Sequence, residues 1–182
     1  LKRSGDERSP ASVKRAAEHE AFLAQRASAA GVRTPTVIAV GALQDAERAP
    51  RGVFVVFDAI EGETLDSVCD ELSDPVLRGA WSQVQIMRRA GLAHRDLRAA
   101  NLLVADGEPW VIDFGFAEVA ADDRLLDQDV AELLVSTAAL VGPRRAVDAA
   151  VAVLGADDVA AAIPWIQPLA VSAASRSALP RS

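Results

Sequence analysis

Several residue types are scarce in this chain, and each scarcity closes off a class of function. There is one cysteine, Cys69, so no internal disulfide is available, and no Cys/His cluster offers a zinc site. Cys69 stands in DSVCDELS, among acidic side chains that disfavour a reactive thiolate, and reads as structural. Histidine occurs only at positions 19 and 94, which excludes a histidine-rich metal centre, and tyrosine is absent altogether. No stretch approaches the run of about eighteen apolar residues that a membrane-spanning helix needs, and no signal peptide is visible. Positive charge is also in short supply. With 19 Lys and Arg against 26 Asp and Glu, the net charge is −7. The pI is near 4.8, which argues against nucleic acid or an anionic membrane surface as the main partner.

What is present has the balance of a globular protein, 51% hydrophobic and 25% charged over 182 residues, with no internal repeat. The chain opens on Leu1 as if inside a strand, so a fragment of a longer protein is expected. Residues 11–30 are rich in Ala and long side chains and end at Gly31, which predicts a helix. VRTPTVIAV predicts a strand near 36–40, and the unbroken apolar run GVFVVFDAI (52–60) a strand buried on both faces. Ser73-Asp74-Pro75 starts a helix that runs through Trp81, Val84 and Met87 to Gly91. A polar loop at 94–101 leads into a strand at 102–104, a turn at Asp106-Gly107 and a strand at 110–112. Helices are then expected at 127–140, 144–154 and 157–163. Strands first and helices after make an α+β chain, with a small β-rich lobe joined to a helical one.

Two strings carry chemistry: HRDLRAANLLV at 94–104 and Asp113-Phe114-Gly115. Phosphoryl transfer asks for a base to orient a hydroxyl, hard oxygens for Mg²⁺ and a cation on the nucleotide phosphates. Asp96 in the polar loop would accept the proton, and Asn101 and Asp113 would hold Mg²⁺. The hairpin 102–112 would bring these two together. On a helical wheel Val13, Ala16, Ala17, Leu23, Ala24 and Ala27 share one face, with Glu20 in its middle. A carboxylate there wants a partner, and Lys2 is the candidate. The alternatives are a solvated Glu20 with Lys2 at a frayed end, or Glu18 in its place.

His94 to Asn101 followed by Asp113-Phe114-Gly115 resembles the catalytic loop and metal-binding motif of the protein-kinase-like superfamily. The resemblance implies a two-lobed fold with a truncated N-terminal lobe at 1–61 and a helical lobe at 62–182. It implies ATP and Mg²⁺ as cofactors, with Asp96, His94 and Arg98 in the catalytic loop and Asn101 and Asp113 on the metal. Lys2 and Glu20 would form the phosphate-positioning pair, and the segment Asp58-Ala59-Ile60 the hinge that binds adenine. Asp129, in LLDQDVAELL, resembles the aspartate that braces the catalytic loop, or else is an N-terminal helix acid.

The chain also departs from protein kinases. Gly115 is followed by FAEVAADDRLLDQ, with no Ala-Pro-Glu anchor and no Ser, Thr or Tyr to phosphorylate. A peptide-docking shelf is therefore not expected, and Arg95 should pair with Asp122 or Asp123 instead of a phosphate. No glycine-rich loop precedes Lys2. The short segment is similar to aminoglycoside- and choline-phosphotransferase-like kinases. The run from 94 to about 179 more narrowly resembles the kinase-like region of lysylphosphatidylglycerol-synthase-type membrane proteins, which implies a cytoplasmic domain tethered to the inner face of a membrane. The reading is an ATP- and Mg²⁺-dependent phosphotransferase acting on a small-molecule or lipid-linked hydroxyl. The alternatives are a kinase-like regulatory module without turnover and an atypical Ser/Thr protein kinase.

Overall fold

The structure, a computed structural model, describes residues 10–44, 50–68 and 72–166. Lys2 and Cys69 lie outside the described residues. Helix α1 (Pro10–Ala29) is built from strong helix formers and stops where Gly31 takes φ +94°, with the Val32 N–H returning to the Ala27 carbonyl at 3.0 Å. It buries Ala21, Leu23, Ala24 and Ala27. The apolar stripe is shorter than the wheel predicts, because Ala16 is exposed and Val13 is 38% exposed.

Strands β1 (Val37–Gln44) and β2 (Pro50–Phe57) pair antiparallel, with irregularities at Val37/Ala39 and Leu43/Gln44. The expectation that 52–60 is buried on both faces fails. The strand ends at Phe57, and Phe54 and Val56 are each 39% exposed, as is Ile38 on β1 at 62%. Among the described residues this is a two-stranded sheet, and α1 covers only part of it.

Helix α2 (Asp74–Arg89) starts as predicted, with the Ser73 side chain accepting from the Val76 N–H and Pro75 in the first turn. Its buried face carries Val76, Leu77, Ala80, Trp81, Val84 and Met87. A short strand β3 (Glu63–Thr64) joins the predicted hairpin of β5 (Leu102–Ala105) and β6 (Glu108–Val111). Asp106 (φ 51°) and Gly107 (φ 75°) make the two-residue turn between them. Two further strands were not foreseen: β4 (Leu92–Ala93) and β7 (Glu118–Val119), which pair with each other.

Helix α3 (Asp123–Val141) begins earlier than its apolar pattern suggests, because Asp122 caps it by accepting from the Leu125 N–H at 3.0 Å. Helices α4 (Pro143–Leu154) and α5 (Ala156–Ala162) follow, each started by a glycine with positive φ, Gly142 at 84° and Gly155 at 92°. One core joins these elements, with Leu23, Leu65, Leu77, Trp81, Met87, Leu97, Leu102, Phe114 and Leu133 all at 2% exposure or less. Trp81 is completely buried, and its indole N–H has no partner among the described residues. An unpaired buried donor costs stability, whereas the ring's volume supplies it. Trp81→Ala should therefore lower unfolding free energy by about 3–5 kcal/mol. Trp81→Phe should cost far less, since it removes the orphaned donor along with the extra volume. Chemical denaturation of both variants checks the difference.

Candidate active site

The hairpin of β5 and β6 sets the site. Its first rung pairs Leu102 with Val111, and the ladder continues one step outward as the Ile112 N–H donates to the Asn101 carbonyl at 3.0 Å. Asn101 and Asp113 thus emerge side by side from the open end of a four-residue hairpin. Asn101 is buried, and its Nδ2 donates to both the Asp96 carbonyl (2.7 Å) and the Asp96 carboxylate (2.9 Å). Arg98 holds the other carboxylate oxygen of Asp96 at 3.1 Å. The structure therefore brings Asp96, Arg98, Asn101 and Asp113 together.

The donor set suits a hard divalent cation. With Nδ2 committed to Asp96, Asn101 keeps its amide oxygen for a ligand, and Asp113 supplies an exposed carboxylate. Two such oxygens match Mg²⁺, which takes its remaining ligands from water and phosphate. Among the described residues no cluster of three or more His, Cys, Asp or Glu could hold a metal unaided.

His94 is placed differently from its neighbours in the loop. Its side chain is 0% exposed, its Nε2 donates to the Ile112 carbonyl at 2.9 Å, and its ring lies 5.0 Å from that of Phe114. Burial lowers its pKa and keeps the imidazole neutral. It is a strut between the loop and the residue before Asp113.

Under the loop stands Asp129. One carboxylate oxygen accepts from the His94 N–H at 2.5 Å and the other from the Arg95 N–H at 2.7 Å. The residue is 5% exposed and lies well past the first turn of α3, so it is not an N-terminal helix acid. Further along the same helix Ser136 Oγ accepts from the Ala99 N–H at 3.1 Å. Burial pushes the Asp129 carboxyl up to about 7, against the pull of the two amide donors.

Arg95 corrects one expectation. Its guanidinium meets Glu118 at 3.3 Å, not Asp122 or Asp123. Asp122 is occupied as the α3 cap, and the pairing of β7 with β4 brings Glu118 opposite Ala93. Glu20 is half-buried on α1, and its pKa is raised, first by burial and then by the charge of Asp113. The two acids line a cavity of about 120 Å³ with Thr34, Pro35, Phe57, Ile112 and Phe114. The candidate partner, Lys2, lies outside the described residues. Asp58 follows β2, its N–H on the Thr36 carbonyl at 2.8 Å, and Ile60 is partly buried two residues on. A cavity of about 470 Å³ lies elsewhere, by Asp74, Arg78, Arg144 and Arg145, and shares no residue with the loop.

With this geometry in view, the comparisons with known proteins are decisive for family. Residues 6–152 match the model of the lipopolysaccharide kinase (Kdo/WaaP) family. The chain belongs to that family. It is similar to the serine/threonine-protein kinase AfsK of Streptomyces coelicolor, 42% identical over 81 residues, or 44% of this chain and 10% of that one. It is also similar to the KEOPS complex subunit Bud32 of Pyrococcus abyssi, 31% identical over 115 residues, covering 61% of this chain and 48% of the relative. The chain thus spans between a tenth and a half of these relatives. A solved structure of WaaP in complex with acyl carrier protein superposes with a TM-score of 0.64 at 21% identity, over 85% of this chain and 75% of that one, and shares the fold. The kinase-like resemblance of the motifs and the α+β fold class both stand.

The Asp129 carboxyl makes a testable link to pH. Its folded-state pKa, about 7, exceeds the ordinary 3.8. The stability it contributes is thus full below about pH 4 and is lost as pH rises to about 7. Glu20, also raised, has the same sign. Asp129→Asn removes the titration, so the stability advantage of the wild type over this variant should shrink as pH rises from about 4 to about 7. Thermal unfolding across that range measures it. The variant should also be less stable than the wild type within that range, because its –NH₂ faces a loop N–H and a buried hydrogen bond is lost, at a cost of about 1–3 kcal/mol.

Proposed function

We propose that this chain is the catalytic portion of an ATP- and Mg²⁺-dependent phosphotransferase whose acceptor is a hydroxyl of a lipid-linked or small sugar. The observation that carries this reading is the clamp of Asn101 Nδ2 on both the backbone and the carboxylate of Asp96, at 2.7 and 2.9 Å, beside Asp113. It joins a base and two cation ligands in one rigid unit. The family description, which names lipopolysaccharide, supports a sugar acceptor.

In this reading Asp96 accepts the proton of the attacking hydroxyl while Arg98 orients its carboxylate. The hydroxyl oxygen bonds to the γ-phosphorus as the bond to the β–γ bridging oxygen breaks, and ADP leaves. Mg²⁺ on Asn101 and Asp113 would neutralise charge on the phosphates. The backbone of Asp58–Ile60 would bind adenine, and Lys2, paired with Glu20, would meet the phosphates. His94 positions the loop from beneath.

The second reading, a protein kinase, draws on the similarity to AfsK. The route after Asp-Phe-Gly weighs against it. The chain passes from the 3-10 turn Phe114–Phe116 through β7 to the α3 cap at Asp122, with no hydroxyl residue from 116 to 128 and no shelf for a peptide.

Calorimetric titration of ATP with and without Mg²⁺ tests the metal assignment; equal affinity in both conditions would remove Asn101 and Asp113 from that role. Asp96→Asn should lower turnover by about 10²–10⁴-fold while leaving nucleotide affinity within about twofold, since the base touches the acceptor and not the phosphates. A near-normal rate would take Asp96 out of the mechanism. Incubation with labelled ATP and either lipid-linked sugar or a peptide library separates the two readings. Ordinary turnover on peptides would sink the sugar-kinase one.

A further inference from the structure

The strongest feature left unused by this mechanism is on α1, one residue before Glu20. His19 reaches across to the other side of the Asp-Phe-Gly turn, its Nε2 3.1 Å from the carbonyl oxygen of Ala117. Glu20, the next residue, faces the cavity that Asp113 also lines. Successive helix residues diverge by about 100°, so consecutive side chains of one helix meet the segment 113–117 at its two ends, His19 by a hydrogen bond at Ala117 and Glu20 across the cavity from Asp113.

The acceptor of this contact is itself well fixed. Ala117 is 2% exposed, and its own N–H closes the turn on the Phe114 carbonyl at 3.1 Å. Phe114 is 2% exposed and packs against the buried His94 ring. Beyond Ala117 the chain is tied by the Glu118–Arg95 pair and by β7 against β4. Besides the His19 contact, α1 meets this turn through packing and, across the small cavity, through two acids, Glu20 and Asp113, that repel each other. A donated hydrogen bond opposes that repulsion directly. The imidazole donates through Nε2 when neutral and when protonated, so the strap does not depend on its charge.

We propose that His19 is a positioning residue for phosphoryl transfer: through the Ala117 carbonyl it locks α1, and with it Glu20, to the turn that carries Asp113. This rests on the phosphotransferase reading above. The segment from 116 to 128 carries no hydroxyl residue, and His19 ties it to α1 without phosphorylation.

The experiment compares His19→Ala with His19→Gln, whose amide nitrogen stands close to where Nε2 stands. His19→Ala should lower kcat about tenfold and raise several-fold the Mg²⁺ concentration for half-maximal turnover, in line with the cost of a small misplacement at a reacting site. The KM for ATP at saturating Mg²⁺ should change little, and His19→Gln should restore most of the loss. In parallel, amide hydrogen exchange should quicken at residues 114–119 in His19→Ala and stay unchanged in α3. Wild-type protein with no turnover on any acceptor would overturn the phosphotransferase reading, and exchange at 114–119 would then decide the strap by itself. Unchanged exchange there overturns the proposal. So does a His19→Ala enzyme with wild-type kcat and Mg²⁺ requirement, or a folded His19→Gln variant that restores nothing.

Discussion

The catalytic loop hangs on one buried carboxylate. Two successive backbone N–H groups, those of His94 and Arg95, converge on the two oxygens of Asp129, and Arg95 can keep φ at +66° because of it. A left-handed conformation costs an ordinary residue about 1–2 kcal/mol and persists only where the surroundings over-determine it. Here they do. The same helix holds the loop again at Ser136, two turns further on, through the Ala99 N–H. Seven residues of helix rise about 10 Å, so α3 is a ruler on which both ends of the loop are fixed. That explains why α3 is buried nearly all round from Asp129 to Thr137 although it carries Asp129, Glu132, Ser136 and Thr137 there. A helix with polar groups turned inward shows no clean amphipathic stripe, and its inward polar groups mark what it supports.

A second left-handed residue, Asp113 with φ 66° and ψ 68°, sits at the other end of the site. It is reached by a different route, from the hairpin and not from a helix. His94 links the two. Its backbone N–H is on Asp129 and its side chain on the Ile112 carbonyl, so the strained turn of the loop and the strained residue of the metal motif share one buried ring. A neutral histidine suits that place, since a charged one would be desolvated. The arrangement limits the freedom of Asp96, Asn101 and Asp113 relative to one another, as the proposed phosphoryl transfer would require.

What was legible from sequence was local. The pattern from 94 to 113 names its own hairpin, because a two-residue turn at Asp106-Gly107 between short apolar strands fixes the register that places Asn101 beside Ile112. The helix starts at Ser73 and the stops at Gly31 and Gly91 were legible for the same reason: caps and positive-φ glycines act within a few residues. What was not legible was decided at a distance. The strands β4 and β7 are two residues each and exist only because the chain returns after Asp-Phe-Gly to lie beside residues 92–93. Arg95 pairs with Glu118 as a result of that register, a fact no composition of the 116–126 segment contains. The burial of β2 likewise depended on how much sheet and helix lay against it. An apolar run reads as doubly buried, but Phe54 and Val56 remain partly exposed beside β1.

Two like charges, Glu20 and Asp113, face the small cavity. Glu20 and Asp113 raise the local demand for positive charge, and burial of Glu20 makes that demand stronger. Opposite charge at short range lowers the cost for both acids. Two cations answer the demand in the proposed mechanism, Mg²⁺ at Asp113 and a lysine ammonium at Glu20. Each is useful to phosphate chemistry because the protein has prepared a deficit for it. The net charge of −7 then has a local meaning as well as a global one. In the proposed mechanism a site lined by these acids would repel a bare nucleotide and accept one that arrives with its metal, so the carboxylates proposed for Mg²⁺ would also favour the magnesium complex over free ATP.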